Sequence, residues 1–206
     1  MNVSKWIGLG LSSLLIFSLN ISPVLAAEKI TLLVTDDHVG GYSRSLFKHW
    51  IDANKNGCNT RYEVLIAEAI VKPKVGARCY LTGGKWRSSY DGKVFRNPTG
   101  LDIDHMVPLA EAWRSGAWAW TAAQRMDFAN DLGDSRSLLA VTASLNRSKG
   151  DRDVAAWLPL RAKCAYVSNW IAVKWRFDLT VDRIEGEFLK SKIVRCKITN
   201  VVIADK

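Results

Sequence analysis

Four cysteines constrain the fold of this 206-residue chain more than any other feature. Their role depends on the compartment, and the first 26 residues indicate export. Lys5 gives a short basic start, an apolar stretch runs from Trp6 to about Leu19, and the small residues of PVLAAEK are typical of a cleavage site. A membrane anchor is the alternative, but the apolar stretch is short for a spanning helix. We therefore expect a signal peptide over residues 1–26, no membrane span after its cleavage, and a secreted or periplasmic protein.

Outside the cytoplasm the cysteines are free to oxidise, so two disulfides are expected. None of the four lies in a Cys-x-x-Cys pair with a neighbouring histidine, a pattern that would indicate zinc. Four cysteines allow three pairings, and loop closure favours the pairing that is local in sequence. We expect disulfides between Cys58 and Cys79 and between Cys164 and Cys196.

Length and composition indicate one compact domain over residues 27–206. The chain is 48% hydrophobic and has no long low-complexity tract, which suits a single buried core. Its net charge is +9. A basic surface attracts phosphate backbones through counterion release, but it also attracts anionic envelopes and membranes. The charge is therefore compatible with a nucleic-acid partner without selecting one.

Hydrophobic periodicity predicts a mixture of strands and helices. Between Arg78 and Phe95, aromatic and polar residues alternate around the turn signals Gly83-Gly84 and Asp91-Gly92, which is typical of antiparallel hairpins. Other strands are predicted at 29–35, 101–107 and 135–142. Helices are predicted at 43–53, 61–71, 109–120, 122–131, 143–150, 163–178 and 180–196, with the last two as a closing pair.

The end of the strand at 101–107 carries residues that suit metal-assisted hydrolysis. Asp104 can offer a carboxylate oxygen to a divalent cation, and His105 can offer an imidazole to a water molecule beside it. Asn146, early in a later helix, can add a neutral oxygen. Mg²⁺ takes few protein oxygens and keeps several waters, so Asp104 and Asn146 suffice as ligands. Asp102, two residues earlier on the same strand face, is an alternative ligand.

Three basic residues are candidates for binding the substrate. Arg147 and Lys149 follow Asn146 on the same predicted helix, where positive charge would favour a phosphodiester. Arg114 lies on the first helix after the strand. It either contributes to substrate binding or pairs with Glu111, one helical turn away.

Several segments resemble a known family. DIDHMVPLAEAWRSGA, followed by FANDL and LLAVTASLNRSKGDRDVAAWLP, looks like the secreted branch of the HNH endonuclease family, which is built on a ββα-metal core. RSLFKHWIDANKNGCNTRYEVL and the KWRSSYDGKVF hairpin also resemble that branch. The similarity therefore covers nearly the whole chain after residue 26. It implies an α+β fold in which a ββα core, a small antiparallel sheet and surrounding helices are held by disulfides.

The resemblance also implies a role for each site residue. In this family the acidic residue before the histidine is a metal ligand, which corresponds to Asp104. The histidine is the general base, which corresponds to His105, and the asparagine of the helix is the second ligand, which corresponds to Asn146. Another asparagine often opens the second strand and braces the catalytic loop. The matching position in this chain is Ser137.

Residues 52–63, DANKNGCNTRYE, have the spacing of a calcium-binding loop. Asp52, Asn54 and Asn56 occupy alternate positions, a glycine follows at the turn, and Glu63 comes last. Two basic residues in the loop offset its two acidic charges, so any affinity would be weak. A structural Ca²⁺ site and a capped helical turn are the two alternatives.

Together these features predict a secreted, metal-dependent endonuclease that hydrolyses DNA with little sequence specificity, with RNA as a second candidate substrate. His105 would deprotonate water, and one divalent cation, Mg²⁺ or else Mn²⁺, would assist. The alternative is a non-catalytic basic module that binds extracellular nucleic acid or envelope polyanions. Such a module would keep working in EDTA and after loss of His105. We expect a monomer.

Overall fold

The computed structural model describes residues 29–205. The expected signal peptide, residues 1–26, lies outside the described residues. Within the described range there are six α-helices, eight β-strands and four short 3₁₀ helices. Across residues 29–205, no helix combines the length and the apolar character that crossing a membrane requires.

The strands are short and form four two-stranded sheets. They are β1 (Ile30–Val34), β2 (Lys74–Val75), β3 (Leu81–Thr82), β4 (Trp86–Arg87), β5 (Val94–Phe95), β6 (Leu101–His105), β7 (Leu138–Thr142) and β8 (Val201–Asp205). β1 pairs with β8 in parallel, whereas β2 with β3, β4 with β5, and β6 with β7 are antiparallel. The sequence pattern predicts β1 but not its partner β8. The predicted α+β class is confirmed.

Six α-helices surround these sheets. They are α1 (Thr60–Glu68), α2 (Leu109–Arg114), α3 (Ala122–Ala129), α4 (Ala143–Lys149), α5 (Lys163–Arg176) and α6 (Arg183–Arg195). Local capping fixes where several of them begin. Thr121 and Gln124 form a capping box at α3, and the Asp182 side chain accepts a hydrogen bond at the start of α6.

Strands β6 and β7 with helix α4 form the predicted ββα unit. The register pairs Leu101 with Thr142 and His105 with Leu138. Helix α4 follows β7 directly and packs against both strands, while α2 and α3 are inserted between the two strands. Helix α1 packs on the other face of the sheet. The sheet therefore lies between two helices that come from different parts of the chain.

The sheet also separates two hydrophobic clusters. Its α1 side belongs to the smaller cluster, in which four strand residues are buried: Leu101, Ile103, Leu138 and Ala140. On the other side, Val141 joins the larger cluster with residues of α5 such as Trp170. Because side chains alternate along a strand, Asp102 and Asp104 lie on the α4 side, opposite Leu101 and Ile103.

Both disulfides have the predicted pairing. Cys58–Cys79 joins the segment before α1 to the segment before β3, and Cys164–Cys196 joins the start of α5 to the end of α6. All four cysteines are therefore bonded. The second bond closes the α5–α6 pair that the sequence predicts. Sequence separations of 21 and 32 residues correspond to about 3 kcal/mol of stabilisation each in the chain-entropy model.

The helix predicted over 43–53 is wrong. The segment contains one 3₁₀ turn near its start, and Trp50 has a left-handed backbone with a φ of 57°. The Asn130 side chain donates to the carbonyl oxygen of Lys48 and accepts from the N–H of Ile51. In a helix these two backbone groups would instead form hydrogen bonds within the helix. Bonds from side chains to the backbone compete with helix formation in this way.

Glu68 attaches the end of α1 to the sheet. Its carboxylate accepts a hydrogen bond of 2.9 Å from the backbone N–H of Ala140 in β7. Burial raises the pKa of this carboxyl from 4.5 to about 7, and the Ala140 hydrogen bond opposes the rise. A folded-state pKa above the unfolded value means that the contribution to stability is present below the unfolded pKa and is lost as the pH rises through the folded pKa.

We predict that Glu68→Gln, which keeps the acceptor oxygen but cannot ionise, stabilises the protein by about 2 kcal/mol at about pH 8 and has little effect at about pH 4. Urea unfolding at both pH values measures the difference. Glu187→Gln, on the exposed surface of α6, is the control and should change stability little at either pH. An equal effect of Glu68→Gln at both pH values would contradict the account.

Candidate active site

The candidate site lies at the C-terminal end of β6. Neighbouring side chains of a strand point to opposite faces, so Asp104 points toward α4 and His105 points to the side of Ile103 and α1. The contacts agree, because Asp104 binds Lys149 of α4 whereas His105 lies against Trp50. The carboxylate and the imidazole are therefore close in sequence but lie on opposite sides of the strand.

Asp104 forms a buried ion pair with Lys149. Its Oδ2 accepts a hydrogen bond of 2.6 Å from the Lys149 ammonium and another from the Tyr90 hydroxyl. The ammonium also donates to the carbonyl oxygens of His105 at 2.7 Å and Met106 at 2.9 Å. Burial raises the pKa of Asp104, and the Lys149 charge opposes the rise.

This arrangement contradicts the expectation that Lys149 binds the substrate. The side chain is 0% exposed, and an ammonium has three protons. All three are donated within the protein, to one carboxylate and two carbonyl oxygens. Lys149 is a structural residue that holds α4 against the end of β6.

Asn146 and Arg147 lie beside Asp102 on the same face. The Asn146 amide nitrogen and the Arg147 Nε are each 3.4 Å from Asp102 Oδ2. The Arg147 side chain is 76% exposed. Its guanidinium is therefore accessible from solvent, and its role in substrate binding stays a prediction.

The oxygen donors on this face fit a hard divalent cation. Both hydrogen bonds of the Asp104 carboxylate go to Oδ2, and no described residue donates to its Oδ1. Within residues 29–205, the Asn146 amide oxygen also accepts no hydrogen bond. The described residues contain no group of three or more His, Cys, Asp and Glu residues placed to hold a metal ion. Carboxylate and amide oxygens are ligand types that Mg²⁺ accepts, and this ion needs few of them because it retains several waters.

His105 is held as a neutral imidazole in one tautomer. Its Nε2 lies 2.9 Å from the carbonyl oxygen of Ala129, at the end of α3. A carbonyl oxygen only accepts, so Nε2 carries the proton and Nδ1 keeps its lone pair. Burial lowers the pKa of His105 to about 3, so the ring is neutral at neutral pH. The rings of Trp50 and Phe128 stack near it, with centroids at 5.5 Å and 6.3 Å.

His49 is a neighbour of His105 that the sequence does not reveal. The two ring centroids are 6.4 Å apart. The Nδ1 of His49 lies 2.7 Å from the carbonyl oxygen of Phe47, so this nitrogen carries the proton. His49 belongs to the segment that was wrongly predicted as a helix, and no local signal connects it to β6.

Arg114 pairs with acidic residues. Its guanidinium is 2.6 Å from Glu111 and 3.2 Å from Asp37, and it also bonds the carbonyl oxygen of Asp151 at 2.9 Å. Of the two alternatives left by the sequence, pairing with Glu111 is confirmed. Glu111 in turn contacts the fully buried Lys174 at 2.7 Å, so this network belongs to the core.

The loop at 52–63 brings its predicted residues together. The Asp52 carboxylate accepts two backbone N–H bonds within the loop, at 3.1 Å and 2.9 Å. The side-chain amides of Asn54 and Asn56 approach the Glu63 carboxylate at 3.5 Å and 2.8 Å. A cavity of about 390 Å³ beside this loop is lined by neither Asp104 nor His105, so it is distinct from the candidate active site.

Sequence comparison identifies the family. Residues 61–190 match the family model described as the C-terminal domain of GmrSD restriction endonucleases. The chain belongs to this family. The matched range includes β6, β7 and α4, and hence the whole ββα unit. Membership agrees with the resemblance to HNH-type endonucleases and supports a nuclease acting on nucleic acid.

The chain is also similar to an uncharacterized secreted protein of Arthroderma benhamiae. It is 42% identical over 158 residues, which cover 76% of each chain. A secreted relative and two disulfides both fit an extracellular location. No solved structure matches the chain.

We predict that Lys149→Met lowers the free energy of unfolding by about 3–5 kcal/mol, because it leaves the Asp104 carboxylate buried without a counter-charge. Arg147→Ala, on the exposed side of the same helix, should change it by less than about 1 kcal/mol. Urea unfolding at neutral pH compares the two variants. A Lys149→Met protein as stable as the wild type would show that the ion pair does not hold α4 in place.

Proposed function

We propose that the protein is a secreted, metal-dependent endonuclease that hydrolyses phosphodiester bonds in DNA with little sequence specificity. The observation that carries this proposal is the state of His105. It is a buried, neutral imidazole whose Nε2–H is bonded to the Ala129 carbonyl, and its Nδ1 has no hydrogen-bond partner among the described residues. Family membership supports the same class of activity.

A general base needs a neutral ring with a free lone pair, and the fixed tautomer of His105 provides it. Nδ1 would take a proton from water as the water oxygen attacks phosphorus. The bond from phosphorus to the 3′ oxygen breaks, solvent protonates that oxygen, and the products carry 5′ phosphates. The Ala129 carbonyl, as acceptor of the Nε2–H bond, favours the positive charge that develops on the ring.

Asp104 and Asn146 would hold the cation, with Asp102 as an alternative ligand. When bound, Mg²⁺ or Mn²⁺ would supply positive charge that favours the charge developing on the phosphate. Lys149 bonds the Oδ2 atom of Asp104, so Oδ1 is the oxygen that would bind the cation. The exposed Arg147 would contact a phosphate of the substrate backbone. A net charge of +9 suits such backbone contacts, which carry no sequence information directly.

We predict that the mature protein cleaves plasmid DNA in the presence of Mg²⁺ and that EDTA abolishes this cleavage. His105→Ala should slow cleavage by roughly 10²–10⁴-fold without weakening DNA binding, because the histidine activates water and does not hold the metal. His38→Ala is the matched control, since His38 stacks on Trp118 with ring centroids 4.5 Å apart, whereas the rings near His105 are those of His49, Trp50 and Phe128. Gel assays measure cleavage, and fluorescence anisotropy in EDTA measures binding.

The same assay separates the roles of the ligands. Asn146→Ala should recover activity in part as Mg²⁺ or Mn²⁺ is raised, whereas His105→Ala should not respond. Cleavage by the wild type in EDTA, or by a folded His105→Ala protein at the wild-type rate, would overturn the proposal. Binding without any cleavage would instead support a non-catalytic basic module. A parallel digestion of RNA decides whether it is a second substrate.

Calcium binding by residues 52–63 stays a prediction. The folded loop groups two carboxylates with two side-chain amides, which are ligand types that Ca²⁺ accepts. We expect calorimetry to show weak Ca²⁺ binding in the wild type and none in Glu63→Gln. Glu68→Gln, on the same helix but outside the loop, should bind like the wild type. Absence of heat at about millimolar Ca²⁺ would leave the loop as a capped helical turn.

A further inference from the structure

Asn130, the C-cap residue directly after α3, uses all of its side-chain hydrogen-bonding capacity. Its amide nitrogen donates to the carbonyl oxygens of Lys48 and Met126, both at 2.8 Å. Its amide oxygen accepts from the N–H of Ile51 at 3.1 Å and from the hydroxyl of Thr60 at 2.8 Å. An asparagine amide has two protons to donate, and both are used here. Asn130 therefore connects three parts of the chain.

The segment at 48–51 depends on this connection. It contains no strand or helix, and Trp50 within it has a left-handed backbone. Asn130 bonds the first and the last residue of the segment, so one side chain supplies hydrogen bonds that regular secondary structure would otherwise give. The backbone N–H of Thr60 also donates to the carbonyl oxygen of Ile51 at 2.9 Å, which ties the same segment to the start of α1.

Two of the groups that contact His105 belong to residues next to those that Asn130 bonds or to its own neighbour in the chain. Ala129, whose carbonyl oxygen receives the Nε2–H bond, is its neighbour in the chain. Trp50, whose ring is inclined by 30° to the imidazole at 5.5 Å, lies between the two loop residues that Asn130 bonds. One side chain thus sets the position of the hydrogen-bond acceptor and of the stacking ring. The hydroxyl of Ser137 bonds Asp131 at 2.6 Å instead.

We infer that Asn130 is a positioning residue for His105. It fixes the tautomer and the plane of the imidazole through the Ala129 carbonyl and the Trp50 ring. This inference rests on the proposed function, in which His105 is the general base. It assigns to Asn130 the bracing task that the resemblance would place at Ser137.

The kinetic test uses Asn130→Ala and Asn130→Asp. Asn130→Asp retains the two accepted bonds and loses the two donated bonds, so it keeps the test available if the alanine variant does not fold. We expect kcat on a DNA oligonucleotide to fall by on the order of 10²-fold, since small misplacements of a catalytic group have effects of this size. KM should stay near the wild-type value, because the variants leave the contacts between the protein and the phosphates of the DNA unchanged.

Asn59→Ala is the matched control. Asn59 caps α1, because its side chain accepts a hydrogen bond of 3.3 Å from the N–H of Tyr62, and among the described residues this side chain forms no hydrogen bond with the 48–51 segment. Its loss weakens the same region of the fold without touching the partners of His105. If Asn59→Ala and the Asn130 variants lower kcat equally at equal stability, Asn130 has only a structural role and the inference is wrong.

The second readout is spectroscopic and does not need activity. The chain has three histidines, so long-range ¹⁵N–¹H spectra at fixed pH resolve each imidazole, and His105→Ala identifies the signal. We expect a single Nε2–H tautomer for His105 in the wild type and in Asn59→Ala, and a mixture in the Asn130 variants. An unchanged single tautomer in the Asn130 variants would overturn the inference. An inactive wild type with the expected spectra would instead refute only the proposed function.

Discussion

The ion pair between Asp104 and Lys149 holds the central ββα unit together. The ammonium reaches from α4 to a carboxylate of β6 and to two carbonyl oxygens where that strand ends. Separation of the helix from the strand would leave a buried charge unpaired, which costs much more than the loss of a surface contact. The pair therefore sets how α4 lies on β6, where Asn146 stands one turn earlier on that helix, and how the chain leaves the strand after His105.

The fold could be predicted where a stretch of chain determines its own structure. Helices α5 and α6 have regular apolar spacing, and both are found where the sequence predicts them. Both disulfides join the cysteines that are nearest in sequence. The segment at 43–53 also has helical spacing, but its backbone bonds to Asn130, which lies far along the chain. Such a bond leaves no trace in the local pattern.

For the candidate site, the sequence predicts the chemical groups better than their surroundings. Asp104, His105 and Asn146 do come from one ββα unit. The role predicted for Lys149 was wrong, because a sequence shows that a residue is charged but not that the folded protein buries it. Its partner Asp104 also binds Tyr90, which comes from a separate hairpin. The partners of His105 likewise come from α3 and from the irregular segment before α1, which are brought to β6 only by tertiary packing.

The parallel pairing of β1 with β8 limits how far the protein can fold during its synthesis. These are the first and last strands of the described range, and Leu32 in the middle of β1 is buried in the larger cluster. A ribosome releases the amino-terminal end first, so β1 has no partner until β8 has been synthesised. Folding during translation therefore cannot complete the larger cluster before β8 leaves the ribosome. The interior of the protein closes only when Ile203 of β8 joins Leu32 of β1 in that cluster.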